Sequence, residues 1–292
     1  MKIIKRKTNN NEAEMAVVME DQTVYDLGAE SWAELIDRAA VEGRQPAEMI
    51  QEITAEAAPL SENFDALALL VPIEISEVWA AGVTYQKSRE ARNYEASDGQ
   101  PAAETFYDKV YDAPRPELFF KATGARVAAP EQTMYLRSDS DWQIPEPELG
   151  LVLNSRAELL GFTIGNDLSS RDIEGENPLY LPQAKVWKRS CSIGPSVRLA
   201  DTVADPYAFQ IICRIFRGKE KVFEGDAYVN QLKRKLEELI DYLKKDNDMF
   251  DGTVLLTGTC VVPPNDFTLK DGDVMEIEIP GIGVLRNPVK AL

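Results

Sequence analysis

Apolar and polar positions change rhythm several times along the chain, and each change marks an element. Ala16-Val17-Val18-Met19 is a short apolar run of strand length. Helical spacing follows over Trp32–Ala40 and Pro46–Glu56, the second opened by a proline suited to a first helical turn. Leu67–Ile73 is an apolar run punctuated by Pro72, and Val78–Val83 then starts a strand pattern that ends at Thr84-Tyr85. We place a soft boundary near Ser76, which leaves a small N-terminal α/β domain over 1–75 and a larger domain over 76–292. Strands and loops dominate the larger part. One helix is expected there, over Gln231–Lys245, where Leu232, Leu236, Leu239, Ile240 and Leu243 form a single apolar stripe. Turn signals at Asn265-Asp266 and Asp271-Gly272-Asp273, alternation at Val274, Glu276 and Glu278, and Gly281-Ile-Gly283 predict closing hairpins. The expected fold class is α+β, mostly β.

Two further apolar runs, Leu149–Leu153 and Leu159–Ile164, flank Asn154-Ser155-Arg156, whose composition suits a turn, so the stretch predicts an antiparallel hairpin. With its centre near Arg156, pairing symmetry places Asp167 across from Pro145-Glu146. Alternate side chains of an extended segment share a face, so Glu146 and Glu148, on either side of Pro147, project together. Three carboxylates then converge from neighbouring strands, and their mutual repulsion calls for a bound cation. The competing reading is three ordinary solvated acids in an acidic chain.

Composition narrows the chemistry. The 292 residues include no histidine, which removes Ser-His-Asp and Cys-His nucleophile systems. It also favours an all-oxygen site for a hard cation, Mg2+, Mn2+ or Ca2+, over zinc or copper. A net charge of -17 and a pI near 4.6 argue against nucleic acid and membrane partners, since both depend on clustered Lys and Arg. The basic residues within Met1–Asn11 lead into polar sequence without an apolar run, so no signal peptide or membrane span is expected and we place the protein in the cytoplasm. Cys191, Cys213 and Cys260 are far apart and set in apolar or strand-like sequence, as reduced packing residues are. The charged stretch Lys87–Gln100 reads as a mobile helix or lid, or as a solvated surface helix.

Around the carboxylates, Asn166-Asp167-Leu168-Ser169-Ser170-Arg171-Asp172 resembles the motif of the fumarylacetoacetate hydrolase family. Other elements of that family recur in order: Gly82-Val83-Thr84-Tyr85, Phe119-Phe120-Lys121, Glu146-x-Glu148, Lys185 ahead of Gly194-Pro195, Thr257-Gly258-Thr259 and Gly272-Asp273-Val274. Gly281-Ile-Gly283 and Asn287-Pro-Val289 close the match, which covers roughly residues 76–292. The resemblance implies a catalytic domain of rolled mixed sheets, Glu146, Glu148 and Asp167 as ligands of Mg2+, a 2-keto acid substrate, and a homo-oligomer, either a dimer or a tetramer. Segments 111–123, 137–142, 176–183 and 190–195 are similar to family members that dehydrate 2-keto-3-deoxy sugar acids. That similarity implies conversion of 2-keto-3-deoxy-D-arabinonate, or a related acid, to 2,5-dioxopentanoate and water.

Departures from the family pattern bear on the choice of reaction. Many hydrolases and decarboxylases of the family activate water with a His–Glu pair on a lid, which a histidine-free chain cannot supply. Lys188 stands where a Lys-Ser-Phe-Asp segment carries aspartate, and Cys260 where proline is usual. These changes fit a lyase better than an acylpyruvate or fumarylacetoacetate-type C–C hydrolase or an oxaloacetate-type decarboxylase. A catalytically silent metal-binding scaffold is the remaining alternative. For the lyase, Lys185 is the candidate to stabilise negative charge on the substrate, with burial lowering its pKa towards proton transfer. Glu117, between Pro116 and an apolar run, is the candidate acid–base group with a raised pKa. Thr259, Gly258, Ser88, Arg89 and Phe119 are candidate substrate contacts, and Arg171 and Asp172 are expected to orient Asp167.

Overall fold

Helix α1 (Trp32–Glu42) begins where Ser31 and Glu34 cap each other's backbone, and it ends at Gly43 in the left-handed region, φ 65°. Its Trp32, Leu35, Ile36 and Ala39 lie on one buried stripe. Helix α2 (Pro46–Glu56) starts on its proline and buries Ala47, Met49, Ile50 and Thr54. Both helices stand close to their expected bounds. The computed structural model describes residues 1–28, 31–97 and 106–292. The strands that precede the helices are β1 (Lys2–Lys7), β2 (Ala13–Val18) and β3 (Val24–Asp26).

Then come β4 (Glu77–Gly82), α3 (Gln86–Ser97), α4 (Phe106–Asp112), β5 (Glu117–Thr123), β6 (Val127–Ala128), β7 (Met134–Leu136) and β8 (Gln143–Ile144). The expected hairpin is β9 (Pro147–Leu153) and β10 (Leu159–Asp167), followed by β11 (Ser169–Ser170), α5 (Arg171–Glu176) and α6 (Leu181–Lys185). The chain ends through β12 (Cys191–Leu199), β13 (Gln210–Arg217), β14 (Glu220–Tyr228), α7 (Leu236–Leu243), β15 (Thr253–Leu256), β16 (Asp273–Ile279) and β17 (Gly283–Ala291). The stretch expected as a lid is therefore helical from Gln86 to Ser97, and its last three residues, 98–100, lie outside the described residues.

The larger sheet runs β3-β2-β1-β12-β10-β9-β15-β4-β5, with β6 added to β12. A five-stranded sheet, β14-β13-β16-β17-β7, covers one of its faces. On β9 the alternation sorts side chains between layers: Leu149, Leu151 and Leu153 pack with Ile211, Ile215 and Ile277 of the five-stranded sheet. Val152 points the other way, into a core shared with Trp32, Leu35, Ile36 and Ile50 of the N-terminal helices. The hairpin is thus sealed on both faces, which is why its strands read as nearly continuous apolar runs. This is the mostly-β α+β architecture expected.

Two elements differ from expectation. β1 escapes the period-two pattern because Ile3 and Ile4 are both fully buried, one in each of two cores, and its pairing partner β12 is far along the chain (Lys2 opposite Arg198). Helix α7 begins only at Leu236. Ahead of it Lys233 donates its backbone N–H to Thr84 O, and Arg234 reaches the carbonyls of Ala113 and Pro114, contacts that hold 232–235 out of helix. Leu232 nevertheless packs against the core its stripe predicted. All three cysteines are free and buried, and burial pushes each thiol up to about 12, as packing residues require. Among the described residues no helix is long and apolar enough to cross a membrane.

Candidate metal centre and active site

The hairpin opens with Leu153 opposite Leu159, and a bulge between Leu159 and Gly161 then shifts the register by one residue. Beyond it Asn166 faces Pro147, and Asp167 donates its backbone N–H to Glu146 O at 3.0 Å. The bulge thereby selects Glu146 rather than Pro145 as Asp167's neighbour. Asn166 fastens the same end by accepting the Glu146 N–H at 3.2 Å. Glu146, Glu148 and Asp167 are all buried, and one carboxylate oxygen from each lies within 4.8 Å of the others.

So dense a set of acids needs compensation, and the surroundings supply part of it. Lys185 Nζ lies 2.6 Å from Glu146 Oε2 and 3.3 Å from Asp167 Oδ2, and it donates to Ser169 Oγ at 2.6 Å. Lys121 Nζ lies 2.5 Å from Asp167 Oδ1 and also donates to the carbonyls of Leu168 and Lys185. Arg171 Nη2 pairs with Glu146 Oε1 at 2.9 Å, and the Gly258 N–H donates to Glu148 Oε2 at 2.6 Å. Burial still drives both glutamates above the ordinary carboxylate range, Glu148 strongly, because Asp167 and Glu146 add repulsion to its desolvation. Three cations thus face three carboxylates, yet all of them pair with Glu146 or Asp167, and among the described ion pairs Glu148 has none. Both Asp167 oxygens, moreover, lack an aligned hydrogen bond despite their ion pairs. A small hard cation fits this oxygen-only set.

The other expected residues divide into two groups. Ser88, Phe119, Lys185 and Thr259 line the cavity over the carboxylates, together with Gly82 and Arg92. Lys185 also lies 5.3 Å from the centroid of the Phe119 ring. Thr259 Oγ donates to Pro147 O at 3.1 Å, and Ser88 Oγ donates to Tyr85 O at 2.8 Å. Glu117 faces Gly82 across β4 and β5, its Oε2 sealed and without a hydrogen bond, and burial raises its pKa against the pull of Arg92 and Lys185. Gly258 adopts φ +96° and leaves no space for a side chain, since a Cβ would lie 1.9 Å from Thr84 Oγ. Arg89 lies outside the cavity: its guanidinium stacks over the Tyr111 ring at 4.7 Å and lies 3.7 Å from Asp108.

Three readings change. Lys185 does not acquire a lowered pKa in this arrangement; burial acts to lower it, but Asp167, Glu146 and Glu174 outweigh burial and raise it. Arg171 holds Glu146 rather than Asp167, and Asp172 binds Ser140 Oγ and the Asp141 N–H, fixing the 140–141 turn. The cations nearest the triad include Lys121 and Arg92, which drew no role from the sequence. Lys121 stands inside the Phe119-Phe120-Lys121 element, and that placement was the one available signal. Arg92 lies one helical turn beyond Arg89.

The fumarylacetoacetate (FAA) hydrolase C-terminal family matches residues 78–290. The chain belongs to the fumarylacetoacetate hydrolase family. Within that family it is 42% identical over 274 residues to a probable 2-keto-3-deoxyxylonate dehydratase of Haloferax volcanii, covering 92% of this chain and 93% of the relative. It is 47% identical over 230 residues to the 2-dehydro-3-deoxy-D-arabinonate dehydratase of Saccharolobus solfataricus, covering 79% of this chain and 77% of that one. The structure superposes with a TM-score of 0.85, at 35% identity and over 100% of this chain and 99% of the other, on a 2-keto-3-deoxy-D-arabinonate dehydratase complexed with magnesium and 2,5-dioxopentanoate.

Proposed function

We propose that this member of the fumarylacetoacetate hydrolase family is a Mg2+-dependent hydro-lyase that converts 2-keto-3-deoxy-D-arabinonate, or a related 2-keto-3-deoxy sugar acid, to 2,5-dioxopentanoate and water. The observation that carries this reading is the buried triad Glu146, Glu148 and Asp167 with Lys185 beside it, in a chain similar to dehydratases over nearly its whole length. Five carboxylates, Glu117, Glu146, Glu148, Asp167 and Glu174, face four cationic side chains, Arg92, Lys121, Arg171 and Lys185. With Glu117 protonated the remaining four carboxylates match these four cations, and a divalent cation with a singly charged 2-keto acid adds one positive charge to the site.

Glu146, Glu148 and Asp167 would hold the cation, and when bound it supplies Lewis-acid polarisation of the keto group. Lys185 presents a fixed positive charge to the same region and stabilises the enolate that forms as an ionised carboxylate of the site takes the C3 proton. After the C4 hydroxyl leaves, a C5 proton moves to C3 and the resulting enol relaxes to the aldehyde of 2,5-dioxopentanoate. Once Glu146 and Asp167 are shared with a cation, the attraction that raises the Lys185 pKa weakens and burial regains weight. Glu117, held towards its neutral form by burial against Gly82, is the group to supply the proton with which the C4 hydroxyl departs as water. Thr259 and Ser88 offer hydroxyls in the lining of the same cavity. No attacking water is required, so the absence of imidazole costs this reaction nothing.

The proposal extends to Mn2+ or Ca2+ as substitutes, to residues 1–75 as a small domain ahead of a catalytic domain over 76–292, to a homo-oligomer of two or four chains, and to the cytoplasm. Incubation of the purified protein with 2-keto-3-deoxy-D-arabinonate and Mg2+ is expected to yield 2,5-dioxopentanoate. Turnover of acylpyruvates without that product would overturn the dehydratase reading in favour of a C–C hydrolase.

A further inference from the structure

One buried carboxylate close to the triad has no part in the chemistry above. Glu174 is 1% exposed and lies on α5, yet side chains from three helices converge on it. Arg92 of α3 and Lys185 of α6 each stand 3.0 Å from its Oε1, and Arg171 of its own helix lies 3.8 Å from its Oε2. Both oxygens thus lie within ion-pair reach of these cations, and Lys185 adds a side-chain hydrogen bond. Two of these cations lead straight to the triad: Lys185 contacts Glu146 and Asp167, and Arg171 contacts Glu146. The third belongs to α3, which packs on α5 and contributes Ser88 and Arg92 to the cavity wall.

The consequence follows from how Lys185 divides its charge. Its ammonium is shared among Glu146, Asp167 and Glu174. A cation in the triad draws the first two carboxylates towards itself and weakens their hold on the ammonium. Glu174 is outside the triad and keeps its charge for Lys185. We propose that Glu174 is a positioning residue that holds Lys185 beside the metal centre and, through Arg92, seats helix α3 over it. Seating of α3 and placement of Lys185 then become one event, because a single buried carboxylate answers to both and loses compensation if either withdraws. Lys121 cannot take over this task, as its ammonium is committed to Asp167 and to the carbonyls of Leu168 and Lys185.

This inference rests on the dehydratase reading, and wild-type turnover tests that reading by itself. The experiment therefore adds two measurements that need no substrate. Arg92→Met, Glu174→Gln and the double variant are compared for kcat and KM, for Mg2+ affinity by calorimetry, and for amide hydrogen exchange over residues 86–94 in saturating Mg2+. Each single variant is expected to lose kcat by roughly tenfold or more, with the double variant no slower than the slower single. Mg2+ affinity should stay within about threefold of wild type, since Glu174 is no ligand, while exchange over 86–94 rises in both single variants. Effects that multiply in the double variant would overturn the coupling. Loss of Mg2+ affinity in step with kcat would place Glu174 in the ligand shell and overturn its assigned role. Unchanged exchange in Glu174→Gln would sever it from α3. If Arg92→Met does not fold, Glu174→Gln decides alone, because it preserves volume and one acceptor: lower kcat, intact Mg2+ affinity and raised exchange must all appear.

Discussion

Gly82→Ala displaces the Glu117 carboxyl without changing its chemistry. Gly82 pairs with Glu117 across β4 and β5, and its φ lies outside the left-handed region, so alanine suits the backbone. A Cβ at this position would meet Glu117 Oε2 at 1.9 Å and its Cδ at 2.5 Å. The oxygen must retreat by about 1.5 Å to recover an ordinary 3.4 Å contact. Because the obstacle is the far end of a flexible side chain, the fold yields cheaply, and alanine in a strand returns about 0.5–1 kcal/mol of backbone entropy. Net stability should therefore change by no more than about 1 kcal/mol. Catalysis should not be so tolerant, since a displacement of about 1 Å costs on the order of 100-fold and a positioned acid–base group contributes about 100- to 10,000-fold. Urea melts and steady-state turnover of 2-keto-3-deoxy-D-arabinonate, run beside Glu117→Gln, separate the two effects. A Gly82→Ala enzyme that retains turnover within about threefold of wild type would refute the placement of Glu117 at the reacting atoms.

The metal centre yields three further expectations. Mg2+ at about 100 times its Kd should stabilise the wild-type protein by about 2.7 kcal/mol, a rise of about 4 °C in Tm, and Glu148→Gln should remove that rise; an equal rise in the variant would sink the ligand assignment. Burial and mutual repulsion raise Glu146 and Glu148 above the ordinary 4.5, so in the metal-free protein they cost stability as pH climbs past 4.5. Mg2+ must displace their protons, so its affinity should tighten as pH rises above 4.5, and calorimetric titrations in buffers of different ionisation enthalpy should register proton release. Glu174 has the opposite sign: although burial acts to raise it, Arg92, Lys185 and Arg171 hold it down to about 2. Its contribution is complete above pH 4.5 and is lost progressively as pH falls from there through about 2. Finally, Lys121→Met strips Asp167 of its nearest cation and should destabilise the metal-free protein by about 3–5 kcal/mol in urea melts, part of it restored by Mg2+; a stable variant indifferent to Mg2+ would show that Asp167 needs neither.

How far the sequence reaches depends on the range over which each feature is determined. The hairpin was legible because its apolar runs and turn lie within about twenty residues, and symmetry about Arg156 brings Asp167 to Pro145-Glu146 before any long-range contact is known. The bulge after Leu159 then resolves a choice that symmetry leaves open. Helices α1 and α2 were legible for the same reason, since capping, proline and stripe are all local. β1 was not, because it is buried on both faces, Ile3 with β2 and the distant β12 and Ile4 with β2 and β3, so it shows no alternation, and the basic residues around them mimic a polar terminus. The network about Glu174 lies further still from what pattern can reveal. Arg92, Lys121, Arg171 and Lys185 come from α3, β5, α5 and α6; the family motifs gave Lys185 and Arg171 a role, whereas Arg92 and Lys121 are, at the level of sequence, two more charges in an acidic chain. Spacing distinguishes Arg89 from Arg92 by a single helical turn, yet one stacks on Tyr111 and the other closes on a buried carboxylate. Family motifs single out Glu146, Glu148 and Asp167 because a cation site needs fixed residue types, and the fold brings these three carboxylates together. Positioning groups escape because many combinations of acids and cations satisfy the same electrostatic demand, and only the folded chain shows which combination this protein uses.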